Sequence, residues 1–113
     1  QQNAHCGALP EEMLPGMVEA QRLRDAALAQ ASVAALAHAR ASGGGAVVVI
    51  TGNGHAREDW GMPAALRDYF ADAEIDIRTL AQLENSTGEN VPYSATIITD
   101  PIEREDPCKA FAK

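Results

Sequence analysis

Residues Ala46–His55 read AVVVITGNGH, and this stretch decides the fold. Ala46–Thr51 is a continuous run of small and β-branched side chains. Such runs form central strands covered on both faces, the habit of parallel sheets. Gly52 and Gly54 then permit a tight turn, with positive φ and bare backbone N–H groups able to receive an anion. His55 follows at the carboxyl edge, where open α/β sheets bind ligands. The stretch is not a dinucleotide fingerprint, because position 57 is Arg57 rather than a third glycine, and it is not a P-loop. The expectation is a candidate site made of Gly52, Asn53, Gly54 and a fixed, reachable His55. The plainer alternative is a tight turn with a hydrogen-bonded histidine.

Working outward, Met17–Ser42 has no internal glycine in its body and no proline, and it ends at Gly43-Gly44-Gly45, which predicts one long Ala-rich helix. Its second half, ASVAALAHA, is apolar nearly all round, which predicts burial on more than one side. Before it, Leu9–Gly16 predicts a short helical turn broken by Pro15 and Gly16. After the site, Gly52–Gly61 reads as a loop and Met62–Ala71 as a helix. Ile75–Leu80 and Ser94–Thr99 read as strands, with an exposed loop over Gln82–Pro92. Asp100–Lys113 reads as a charged tail ending in a turn of helix at Lys109–Ala112. Helices alternating with strands predict an α/β fold: a small, mainly parallel sheet flanked by helices, within one domain.

The chain has 113 residues, 46 % of them hydrophobic, enough to bury a core. The net charge of −7 and the lack of a Lys/Arg stripe argue against a nucleic-acid partner. No apolar run is long enough to span a membrane. The sequence begins Gln1-Gln2-Asn3, with no signal peptide in view, so processing or truncation is expected to have removed what came before. Cys6 and Cys108 are two ordinary thiols or one disulfide. A bridge would close a loop of ~100 residues and restrict the unfolded chain by roughly 4–5 kcal/mol.

Several other residues can carry chemistry. Arg57 can pair with a carboxylate or a propionate, whereas Glu58 and Asp59 read as a solvated loop. Trp60 is the only tryptophan, either capping the helix at Met62 or lying in an exposed apolar surface. Gln21, Arg24, Asp25 and Leu28 share a helical face. Arg24 and Asp25 are expected to be partly buried and to support His55. His38 reads as a surface or packing residue, and His5 reaches a site only if the N-terminal segment folds back. Tyr69 and Tyr93 read first as amphipathic packing residues. There is no GxSxG, no HExxH and no CxxC, so a complete hydrolytic site is not assembled from these residues alone.

Four blocks carry a family resemblance: HCGALP at His5–Pro10, GMVEAQRLRDAALA at Gly16–Ala29, VVVITGNGHAREDWGMP at Val47–Pro63, and REDPCKAF at Arg104–Phe111. Together they resemble the ChaN-like proteins, haem-binding iron-uptake lipoproteins of the Tiki superfamily. The Gly-x-x-His of that superfamily falls on Gly52 and His55. The resemblance implies that residues 1–113 are the C-terminal portion of a larger α/β domain. It implies a bacterial, periplasm-facing lipoprotein, with membrane attachment only through a lipid anchor outside these residues. That compartment is oxidising, which favours a Cys6–Cys108 disulfide. The implied cofactor is haem, bound as two stacked haems in a homodimer, each iron held by a tyrosine. The stretch SATIIT carries no tyrosine, and Tyr93 lies just upstream. His55, Tyr93 and Trp60 are the local candidates, Tyr69 is the other tyrosine that could serve, and Arg57 or Arg24 is available to propionates. Other branches of the superfamily imply the alternative of a metal-dependent hydrolase. There His55 would bind a divalent metal or act as general base, with carboxylates from outside these residues. A purely structural or oligomerisation role is the third reading.

Overall fold

A computed structural model describes residues 5–85 and 91–111. Much of the predicted loop, at residues 86–90, and the end of the predicted C-terminal turn, at residue 112, lie outside these. The described chain is a small α/β fold. Helix α1 spans Leu14–Ala41, a short turn α2 spans Asn53–Ala56, and α3 spans Met62–Tyr69. Strands β1 (Leu80–Leu83) and β2 (Ala95–Ile98) form a two-stranded parallel sheet with Leu80 opposite Ala95. Short 3-10 turns occur at Glu11–Met13, Ala71–Ala73 and Pro107–Phe111.

Pro15 and Gly16 do not end a helix; they lie in the first turn of α1, and the 3-10 turn Glu11–Met13 leads directly into it. Proline suits that position, because its missing N–H would have no intrahelical partner there. At the other end, Gly43 takes a positive φ of 78° and Gly44 N donates to Ala39 O at 2.8 Å. His38 and Arg40 stand in the last turn, where cations complement the helix dipole.

Helix α3 packs on α1 through a core of Ala29, Met62, Ala65 and Leu66, joined by Leu28, Val33, Val49, Phe70, Ile75 and Ile77. Alanine at positions 29 and 65 lets the two helices approach closely. The second half of α1 is covered on one side only: Ala34, Ala35 and Ala37 are exposed.

The largest difference from expectation lies at Ala46–Thr51. It runs without turn or bend, but it is not a hydrogen-bonded strand. None of its backbone groups has a hydrogen-bond partner among the described residues. Val49 faces the core, whereas Val48 is 84 % and Ile50 95 % exposed. The helices cover one face, and no described residue covers the other. Likewise Ile75–Thr79 joins no ladder, and pairing begins only at Leu80.

A disulfide joins Cys6 to Cys108, whose Cα atoms are 5.4 Å apart. It clasps the C-terminal turn to the residues that precede α1.

Candidate functional site

The segment after Thr51 is not an open glycine turn. Neither Gly52 nor Gly54 has a positive φ; Gly52 has φ −67° and precedes the helical turn α2. Backbone N–H groups of His55 and Ala56 both return to Gly52 O, so the chain coils rather than cradling an anion. This coil carries His55 back against α1.

His55 meets Asp25 there. Asp25 is only 2 % exposed, and its Oδ1 lies 2.7 Å from His55 Nδ1. The Gln21 amide nitrogen lies 2.7 Å from Nδ1 and 3.1 Å from Nε2. An ionised Asp25 only accepts, so in its pairing with Asp25 Nδ1 would be the donor and Nε2 the acceptor open to the Gln21 N–H. Gln21 and Asp25 are four residues apart on α1 and therefore grip the same ring. Asp25 Oδ2 is buried without a hydrogen-bond partner among the described residues. Arg24 points elsewhere, on the exposed surface of α1. Its neighbour Asp25 occupies the inward position, and a helix does not turn adjacent residues to one face.

The loop is fastened at three further points. Asn53 Nδ2 donates to Gln82 O at 2.8 Å, and Tyr93 Oη donates to Asn53 O at 3.0 Å. Glu58 is not a solvated loop residue. Its Oε1 accepts from Ser94 Oγ at 2.5 Å and Thr79 Oγ1 at 2.6 Å, and its N–H donates to Pro92 O. The Ser94 hydrogen bond, then that from Thr79, hold the Glu58 carboxyl below its usual range. Arg57 pairs with Asp59 at 2.6 Å and lies 5.0 Å from the centre of the Trp60 ring. Their hydrogen bond lowers the Asp59 carboxyl and raises the Arg57 guanidinium.

Sequence reasoning singled out Gly52 and Gly54, but the glycine the site requires is Gly61. A Cβ there would stand 2.5 Å from His55 O and 2.8 Å from Arg57 O. The signal was present in Trp60-Gly61-Met62-Pro63, a glycine directly before a helix whose first turn holds a proline.

Two clefts flank this arrangement. One, of about 610 Å³, lies between Ala46–Thr51 and Ile75–Gln82. The other, of about 530 Å³, lies between α1 and α3 and is lined by Gln21, Arg22, Asp25, Trp60, Asp68 and Tyr69 among others. Trp60 is 48 % and Tyr69 67 % exposed. His55 has both nitrogens engaged and the Tyr93 hydroxyl is committed to Asn53, whereas the Tyr69 hydroxyl has no hydrogen bond among the described residues. No three His, Cys, Asp or Glu side chains come together as a metal site among the described residues. No described helix is long and apolar enough to cross a membrane.

No curated protein and no solved structure matches the chain. A family model described as haem-binding uptake, Tiki superfamily, ChaN matches residues 1–66, more than half the chain. The match takes in Gln21, Asp25, His55, Trp60 and Gly61 and stops short of Tyr69. On this match, the chain belongs to the ChaN family of the Tiki superfamily, a family of haem-binding uptake proteins.

Proposed function

We propose that this protein binds haem in the cleft between α1 and α3, with the Tyr69 phenol as the axial oxygen, as part of iron uptake at the bacterial cell envelope. The observation that carries this reading is the exposed pair Trp60 and Tyr69 on one cleft. A haem needs a flat apolar wall and one axial donor. Trp60 offers the wall, Ala64 and Ala65 are small enough to leave the floor open, and Arg22 stands at the rim for a propionate. Asp59 in the same lining is paired with Arg57 and Asp25 is buried against His55, which leaves Asp68 as the exposed carboxylate that propionates must avoid. His55 and Asp25 then hold the loop that carries Trp60 rather than touching iron.

A lipoprotein anchor outside residues 1–113, a homodimer, and a larger α/β domain of which these residues form the C-terminal portion belong to the same proposal. Haemin titration tests it. The expected result is saturable binding with a shifted Soret band, and a changed spectrum in Tyr69→Phe. No saturable Soret change rejects the reading.

The His55–Asp25 contact favours one second reading, a hydrolase in which Asp25 orients His55 as general base. Stoichiometric divalent metal in the purified protein, with haemin binding absent, would select it.

A further inference from the structure

The buried carboxyl of Asp25 is only half satisfied. Its Oδ1 meets His55 at 2.7 Å, but Oδ2 has no hydrogen-bond partner among the described residues, although Asp25 is 2 % exposed. A polar oxygen held out of bulk water costs free energy unless a donor meets it, so such an oxygen calls for a ligand, a water or an ion. Asp25 belongs to the lining of the cleft of about 530 Å³ between α1 and α3. That lining grades from Tyr69 and Trp60, exposed at the mouth, to Asp25 at the buried end. Haem does not meet the need of Oδ2. Its pyrrole nitrogens are taken by iron, and its ionised propionates only accept.

The charges of the lining favour a cation at that end. Asp25, Asp59 and Asp68 share the lining with one arginine, Arg22. The Arg22 side chain is 70 % exposed and lies 3.8 Å from Glu19, so it stays at the rim and leaves Oδ2 unmet. Asp59 is paired with Arg57, whereas Asp68 is exposed near the mouth, where its charge draws cations inward. The walls suit an organic cation better than a metal ion. Hard metal ions take six or more oxygens, and no three His, Cys, Asp or Glu side chains come together among the described residues. Trp60 and Tyr69 instead offer ring faces that attract ammonium groups. The Trp60 ring already takes one cation, Arg57, at 5.0 Å. Val18, Ala64 and Ala65 add apolar surface, and the volume is that of a small-molecule site.

We infer that the buried end of this cleft binds a small primary organic ammonium, whose N–H group donates to Asp25 Oδ2 and whose apolar body lies against Trp60 and Tyr69. The inference does not rest on the haem reading. The two share the mouth of the cleft, but the ammonium is recognised by Asp25, which haem leaves unmet.

Titration of the intact chain with benzylammonium chloride tests this, followed by calorimetry and by the fluorescence of Trp60, the only tryptophan. The expected result is saturable binding. Benzyl alcohol, which lacks the charge, and benzyltrimethylammonium, which lacks the N–H, should each bind about tenfold or more weakly than benzylammonium. Asp25→Asn keeps the shape of the side chain and removes its charge, and it should weaken benzylammonium to a similar extent with the circular dichroism spectrum unchanged. The three ligands are compared on the wild type, so a variant that fails to fold leaves the test intact. No saturable binding of benzylammonium, or benzyl alcohol binding as tightly, would overturn the inference. Equal binding of benzyltrimethylammonium would remove Oδ2 from the site. Tighter binding of a tripeptide with a free amino-terminal phenylalanine would overturn the small-molecule assignment in favour of chain ends. None of these readings involves haem or the Soret band, so failure here is distinct from failure of the haem proposal.

Discussion

Two regions of this molecule meet at Thr51 and are finished to different degrees. On one side, α1 and α3 close on each other through Ala29, Met62, Ala65 and Leu66. On the other, 46–51 presents Val48 and Ile50 to solvent beside a two-stranded sheet. The difference follows from where each backbone finds its hydrogen bonds. A helix satisfies its peptide groups within itself, whereas a strand depends on neighbours for all of them. Among the described residues the helices therefore carry their own pairing, whereas the backbone of 46–51 has none.

Paired truncations break or sharpen this contrast. Leu66→Ala should cost about 2–5 kcal/mol by opening a cavity in the helical layer. Ile50→Ala should stay within about 0.5 kcal/mol, because an exposed side chain has little burial to lose. Chemical denaturation of the two variants checks this, and equal losses would show that 46–51 is packed after all.

The clasp between the ends comes next. With Cys6 bridged to Cys108, Cys6→Ser should destabilise the chain by about 2–4 kcal/mol. Thiol titration without reductant should find no reactive cysteine in the wild type and one in the variant. Two thiols in the wild type would remove the clasp.

Gly61→Ala probes the joint between the two regions. The added methyl meets backbone oxygens rather than a flexible side chain, so the 52–61 loop must move, at about 1–3 kcal/mol. Loss of the His55–Asp25 contact, followed by histidine NMR shifts, should accompany it.

The smallest effect is at Glu58, where the loop meets the sheet. Its carboxyl is held down by Ser94 and Thr79, so the folded chain binds that proton more weakly than the unfolded chain does. The stabilisation is complete above the ordinary glutamate value, about 4.3, and is lost as pH falls through the lower folded value. Glu58→Gln should lower the melting temperature slightly at pH 7, and the gap to wild type should close in acid. A gap that widens in acid would contradict the assignment.

Legibility in the sequence followed the same division. The long helix was readable because Met17–Ser42 lacks breakers and ends in glycines, and α3 and β2 fell close to their patterns. The meeting of Asp25 with His55 was partly readable, since the spacing of Gln21 and Asp25 marks one face of α1. Arg24 was not separable from Asp25 by pattern alone. The AVVVIT run predicted a central strand covered on both faces, yet among the described residues it pairs with nothing, because a strand needs a hydrogen-bonding neighbour that composition does not specify. Glu58, Ser94 and Thr79 come together from three distant segments, and no local signal announces such a network. Tyr69 and Tyr93 were equal candidates in the sequence, and only the engaged hydroxyl of Tyr93 separates them.

The central functional claim is that the exposed aromatic cleft, rather than the engaged His55, receives haem. Haemin titration of wild type, Tyr69→Phe and Tyr93→Phe, followed through the Soret band, tests it most directly. The account predicts saturable binding by wild type and Tyr93→Phe, with affinity lowered about tenfold or more and an altered Soret position in Tyr69→Phe. Identical spectra and affinities in wild type and Tyr69→Phe, or no saturable binding in wild type, would contradict it.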